Sequence, residues 1–250
     1  MIEEIRRGDV ALLTLRHGKA NALDVELCDA LSAKLGALAS TTRAVVIAGE
    51  GRIFSAGVDL LRLLDGGAAY VREFLPALHR LYETVFFHPA PVVAAINGHA
   101  VAGGCVLACA ADRRLMARDG GRIGVTELLV GLPFPLLAFE IMRSAAASHL
   151  FEDVIYSGAT YAPEEAVRRG LVHETVDPGA LLDRAVAAAE TLAAISPAAY
   201  AMTKRQSRQP VLDRWQRDGA RVEPAVTDIW TSPESFASIR DYVARTFKKA

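Results

Sequence analysis

The sequence predicts an α/β core followed by a mainly helical last third, and three observations carry that prediction. Apolar, β-branched runs at 44–48 and 92–96 have the length and composition of buried strands. Each opens, through a Gly-containing turn, into a segment with helical spacing, which is the alternation of an α/β protein. Beyond about Ile155 the strand signals fade and helical patterns punctuated by Pro and Gly take over.

Taken in order, the first 15 residues read as strand, most clearly Val10–Leu15, and not as a signal peptide. Asp24 is placed to begin a helix that lines up Leu27, Leu31, Leu35 and Leu38. The 44–48 strand leads through the first Gly turn (54–59) into a short helix around 60–64, with Asp59 as its cap. Asp65-Gly66-Gly67 is expected as a loop. A longer amphipathic helix follows at 70–87, in which Pro76 marks a kink or a late start. Pro89 and Pro91 precede the 92–96 strand, and the second Gly turn (97–105) runs into a helix from about Gly103 to Ala111. Short strands are expected near 114–117 and 122–124. Pro163 then opens a short helix that Gly170 ends, and Asp177-Pro178-Gly179 caps an Ala-rich helix reaching about Ala194. Pro197 starts another, and Pro210 and Pro224 are expected to interrupt the tail. The division expected is a core over 1–195 and a helical region over 196–250, packed on the core or on a neighbouring subunit.

Composition excludes several functions. With 28 basic and 29 acidic side chains the formal charge is −1, and Arg6-Arg7, Arg113-Arg114, Arg168-Arg169 and Lys248-Lys249 are short and scattered. No nucleic-acid surface is expected from that pattern. The apolar runs are too short to span a membrane, so a soluble, cytoplasmic protein with no membrane partner is expected. Cys105 and Cys109 share a helical face, but no further His or Cys completes a zinc-type spacing. Cys28, Cys105 and Cys109 are therefore read as small buried side chains, and no metal site is expected.

The glycine motifs do not fit nucleotides. The run from Gly49 to Phe54 nearly matches a dinucleotide fingerprint, but Phe54 stands in place of the last Gly. The run from Gly98 to Gly103 has the spacing of a phosphate-binding loop without its Lys, and Ser55 lies in no hydrolase elbow. Two strand-to-helix turns on one sheet can instead aim two backbone N–H groups at one point, the geometry that stabilises negative charge on a carbonyl oxygen. Lacking β-carbons, Gly103 and Gly104 would let a ligand lie on the backbone at a helix N-terminus. The competing reading is that both merely permit close helix packing, and for either turn alone that reading is favoured. Together the turns point to an activated carbonyl compound.

Lys19-Ala20-Asn21-Ala22-Leu23, segments 47–60 and 92–112, segment 163–172, Ser196-Pro197 and Lys204 together resemble the crotonase superfamily, the enoyl-CoA hydratase/isomerase family. The resemblance covers most of the chain, in order. It implies a spiral of ββα units with a helical C-terminal trimerisation region, and a homotrimer or dimer of trimers. The implied substrate is an acyl-CoA thioester, with no cofactor beyond the coenzyme A that the substrate carries. By motif position the N–H groups of Val58 and Gly103 would form the oxyanion hole. Ala20, Ala22, Ala56, Gly57, Val58, Asp59 and Leu60 would face CoA, and Gly104, Val106 and Phe134 would also border the substrate.

Departures from the pattern narrow the chemistry. Hydratases of this family carry two glutamates; here Val106 occupies the first position and Glu127 the second. Adding water across C=C suits two positioned carboxylates, whereas moving a double bond needs only one group to carry a proton from C2 to C4. The Ala-Gly-Gly-Cys run, the lone Glu127 and Gly131-Leu132-Pro133-Phe134 are similar to the Δ3,Δ2-enoyl-CoA isomerase branch. The resemblance thus implies Glu127 as the sole acid/base. A hydratase using Glu127 with water held elsewhere, or a non-catalytic acyl-CoA binder, are the alternatives. A dehalogenase is disfavoured, since Phe134-Pro135 stands about where its nucleophilic Asp belongs. Without the resemblance, Glu127 would read as a surface or capping carboxylate. His79, Glu83, His88 and Glu140 are read as fallback groups on solvated faces, and His99 as a turn residue. The acyl group is expected to be selected by residues 61–81 and 134–142.

Overall fold

The computed structural model describes residues 1–119 and 121–246; the Lys248-Lys249 pair lies outside them. The first strand signal resolves into an antiparallel hairpin of β1 (Ile2–Arg7) and β2 (Val10–Leu15). Helix α1 (Val25–Leu38) starts where Asp24 Oδ1 accepts the Leu27 N–H at 2.8 Å, and its Leu27, Leu31, Leu35 and Leu38 are all buried. The chain then makes three strand–strand–helix passes. The first is β3 (Ala44–Gly49), β4 (Ile53–Ser55) and α2 (Leu60–Phe86). The second is β5 (Val92–Ile96), β6 (His99–Val101) and α3 (Gly103–Ala110). The third is β7 (Arg113–Ala117), β8 (Ile123–Gly124), a 3₁₀ turn at Glu127–Val130 and α4 (Leu136–Ala145).

In each pass the first strand joins a large sheet and the second a small one. The large sheet has the order β1-β2-β3-β5-β7 and then β9 (Glu174–Val176), parallel from β2 onward; the small one is β4-β6-β8, also parallel. This is the expected spiral of ββα units. The central strands β3 and β5 are buried on both faces, which is why they read as unbroken apolar runs. On one face Leu13, Leu15, Val45 and Ile47 pack against α1, α2 and α3. On the other, Val10, Leu12, Val46 and Val93 pack against Leu181, Ala185 and Ala189 of the Ala-rich helix over Leu181–Ala193.

Several elements differ from expectation. The break expected at Asp65-Gly66-Gly67 is present but narrows to Gly67 (φ 59°, ψ −154°), where two helical stretches of α2 meet at a kink, while Pro76 lies inside the second stretch and does not start it. Segment 97–102 is not all turn, since His99–Val101 is strand β6, and His99 belongs to it. Strand β9 emerges from a region read as helical; it follows the short helices α5 (Phe151–Tyr156) and α6 (Pro163–Arg168). Asp177 precedes a 3₁₀ turn leading to α7 (Leu181–Ala193) but makes no side-chain cap.

Pro210 and Pro224 do not interrupt the tail, because both lie inside α8 (Pro197–Trp230). A proline inside a helix costs it one hydrogen bond. Contacts along α8 hold it regardless: Lys204 Nζ and Arg208 each bond Asp112 at 2.7 Å, Arg214 bonds Glu140 at 2.6 Å, and Trp230 Nε1 donates to Pro133 O at 2.8 Å. Helix α9 (Pro233–Thr246) folds back onto α2 and the 3₁₀ turn. The three cysteines are free and buried. Among the described residues no single helix is long and apolar enough to cross a membrane.

Candidate active site

The parallel pairing of β4 with β6 sets the two Gly turns side by side at the ends of those strands. Segment 20–23 runs alongside the first turn: Ala56 N–H donates to Ala20 O (3.0 Å), Leu23 N–H to Gly57 O (2.7 Å) and Asp59 N–H to Leu23 O (3.0 Å). Ser55 Oγ donates to Asn21 O at 2.7 Å, which fastens the segment from behind. In the parallel bridge between Leu23 and Val58, Val58 directs its own N–H away from Leu23. Among the described residues neither that N–H nor the Gly103 N–H donates to an acceptor in the chain.

Glycine is required at Gly57. Its φ is +83°, and a β-carbon there would lie 2.6 Å from Val101 O and 2.9 Å from Gly103 N. The two turns are therefore in contact through backbone. Just before Gly103, Ala102 sits at φ 50°, ψ −128°, a region costly for any side chain. That strain is held by the Ala102 N–H donating to Gly124 O and by the Cys105 and Val106 N–H groups donating to Ala102 O. Its consequence is to place the free Gly103 N–H at the first turn of α3.

Gly104 corrects the expectation that a ligand rests on it. A β-carbon there would lie 2.3 Å from Ser55 O, so Gly104 lets α3 press against β4 and the packing reading applies. The side of Gly103 is likewise filled by protein, with the Tyr82 hydroxyl 2.9 Å from where a β-carbon would sit and donating to Gly103 O at 3.0 Å.

A cavity of about 550 Å³ opens in front of these turns. Ala20, Ala22, Ala56, Val58, Asp59, Leu60 and Glu127 line it, as the sequence motifs anticipate. Gly57, Gly103, Gly104, Val106 and Phe134 do not. Val106 is packed in the core, and Phe134 is buried with its ring 6.4 Å from that of Phe139. Asp59 caps α2 as expected, accepting from the N–H groups of Leu61 and Arg62 at 3.0 Å.

Glu127 is neither a surface nor a capping carboxylate. It is 7 % exposed, begins the 3₁₀ turn, and its Oε2 is buried without a hydrogen-bond partner among the described residues. Burial pushes its carboxyl up to about 7, opposed by backbone N–H groups of Glu127 and Thr126. A buried acid poised near neutrality, with one oxygen unpartnered among the described residues, can accept or deliver a proton.

The fallback residues lie elsewhere. Glu140 is buried, not solvated, and paired with Arg214 and Arg143. His88 is also buried, its ring nitrogens beside Ala90 O and Leu35 O, and His79 stacks on Trp215 at 4.0 Å, because α8 covers that side of α2. Only Glu83 is exposed as expected. His99 reaches the cavity rim from β6.

Sequence reasoning missed His17, Val130, Leu132, Trp230 and Tyr242 as cavity residues. Nothing in the local pattern of α8 or α9 says which side chains face the site, since tertiary docking decides it.

Residues 6–237 match the family model described as enoyl-CoA hydratase/isomerase. A probable enoyl-CoA hydratase of Rhizobium meliloti is 32 % identical, over 87 % of this chain and 84 % of that one. The mouse mitochondrial enoyl-CoA delta isomerase 1 is 28 % identical over 85 % and 75 %. The crystal structure of a probable enoyl-CoA hydratase of Mycobacterium tuberculosis superposes with a TM-score of 0.83 at 30 % identity, covering 91 % of this chain and 97 % of that one.

Proposed function

We propose that this chain, which belongs to the enoyl-CoA hydratase/isomerase family, moves the double bond of a 3-enoyl-CoA thioester into conjugation with the carbonyl. The observation that carries this reading is the buried carboxylate of Glu127, which lines the cavity and has one oxygen unpartnered among the described residues. Glu127 takes a proton from C2, and the electron pair released shifts through the thioester to its oxygen. The N–H groups of Val58 and Gly103 stabilise the resulting dienolate oxygen. The proton then returns from Glu127 at C4, the C3–C4 double bond having moved to C2–C3, and atoms balance with no water consumed. Desolvation by burial serves this cycle, since a carboxyl near pH 7 both accepts and releases the proton at small cost.

Val106 supports isomerisation over hydration. It is buried in α3, in the core and outside the cavity, and offers no second carboxylate to orient water. The thioester itself activates C2, so coenzyme A enters as part of the substrate and the reaction needs no separate cofactor. We further place the enzyme in the cytoplasm as a homotrimer or dimer of trimers, with region 196–250 at the subunit contacts; exposed Met202 and Ile229 on α8 support that assignment. Product analysis with 3-hexenoyl-CoA and 2-hexenoyl-CoA supplied separately tests the reaction. Formation of 2-hexenoyl-CoA from the first ester, without 3-hydroxyhexanoyl-CoA from the second, is the expected result. Hydration of the second ester as the main activity would overturn it.

A further inference from the structure

We infer that Trp230 is the stop that limits acyl-chain length in the cavity, an inference that rests on the acyl-CoA reading above. The cavity has two unlike ends. Gly18, Lys19 and Ala56 at one end are exposed, and Leu61 beside them is 52 % exposed. Val130, Leu132 and Trp230, which also line it, are buried, Trp230 being only 1 % exposed, and we take them as its closed end. The phosphates of a CoA ester stay hydrated and belong at the open end. With the thioester oxygen at the Val58 and Gly103 N–H groups, the acyl chain runs past Glu127 towards the closed end.

The indole cannot swing aside cheaply. Its Nε1–H donates to Pro133 O at 2.8 Å, and rotation would leave the indole N–H of this buried side chain without its acceptor. Pro133 follows Leu132 in the loop leaving the Glu127 turn, so the end wall and Glu127 are tied to the same stretch of chain. The distance from the reacting carbon to the stop is thereby fixed by one hydrogen bond between α8 and that loop. This differs from the expectation that residues 61–81 and 134–142 select the acyl group: the wall comes from the last residue of α8. The segment escaped notice because its helix is mostly polar and its register on the core is set by distant ion pairs.

The test is the affinity of the full-length protein for saturated straight-chain CoA esters, from butyryl to palmitoyl, measured by calorimetry so that turnover plays no part. In the wild type each added methylene tightens binding about fourfold until the chain meets the ring. Past that break, the next step weakens binding roughly tenfold or more. Trp230→Ala moves the break to longer esters, and Trp230→Leu does the same if the alanine variant fails to fold. Trp230→Phe, which keeps a ring, moves it least. A Trp230 that only supports the fold would weaken every ester alike and leave the break in place, which would overturn the inference, as would a wild type with no break up to palmitoyl-CoA. Absence of binding at every length would instead remove the acyl-CoA reading, and this inference with it.

Discussion

Replacing Glu127 with Gln removes a carboxyl that the folded protein holds against its preference to ionise, so the variant's relative stability must depend on pH. In the unfolded chain the carboxyl ionises near 4.5, and in the folded protein at about 7. Between those values the folded state binds the proton more tightly, so wild-type stability falls as pH rises through that window. Below it the carboxyl is protonated in both states and carries no penalty; above about pH 7 the penalty is complete, at about 3 kcal/mol. Gln does not ionise, and its amide, lacking a partner where Oε2 lacks one, costs roughly 1–3 kcal/mol at every pH. That constant cancels when the variant and wild type are compared at two pH values. Between about pH 5 and about pH 9 the stability difference should therefore shift by about 2.5 kcal/mol in favour of the variant. Urea denaturation of both proteins, at one fixed chain concentration, reads it directly. A difference that stays constant across that range would refute the claim that burial holds Glu127 near neutrality.

Other outcomes follow from the same geometry. Turnover of a 3-enoyl-CoA should fall as a single ionisation when pH drops through about 7, because the base must be the carboxylate; a flat initial-rate profile from about pH 5 to about pH 9 would contradict that. Gly104→Ala places a β-carbon 2.3 Å from Ser55 O, and the backbone must shift, so a loss of roughly 3 kcal/mol is expected in urea denaturation. Asp112→Ala leaves Lys204 and Arg208, both largely buried, without their shared carboxylate, and should cost about 3–5 kcal/mol by the same measurement.

How far the sequence disclosed this molecule depended on the length of each signal. The cap at Asp24 with its four leucines, and the runs that became β3 and β5, are long enough for periodicity and composition to speak. Of the small sheet only β8 was legible, as the short strand near 122–124; β4 and β6 have three residues each and exist only through their neighbours. Those three strands nonetheless decide the site, since they bring the Gly turns together. Gly57 and Gly104 looked alike as residues, yet one lets the two turns touch through backbone and the other spaces a helix from a strand. Glu127 was found by its place in a motif; its burial and unpartnered oxygen were invisible until Val130, Leu132 and the C-terminal helices closed around it. Prolines 210 and 224 misled for a related reason, since ion pairs to Asp112 and Glu140 outweigh a local break signal.

The rate at which the Glu127→Gln variant converts 3-hexenoyl-CoA to 2-hexenoyl-CoA, with ester binding measured in parallel, tests the proton-carrying role of Glu127 most directly. The structure predicts binding retained and conversion reduced by roughly 10²–10⁴-fold, the share a positioned acid/base supplies. Conversion at the wild-type rate would contradict the assignment of Glu127 as the group that carries the proton.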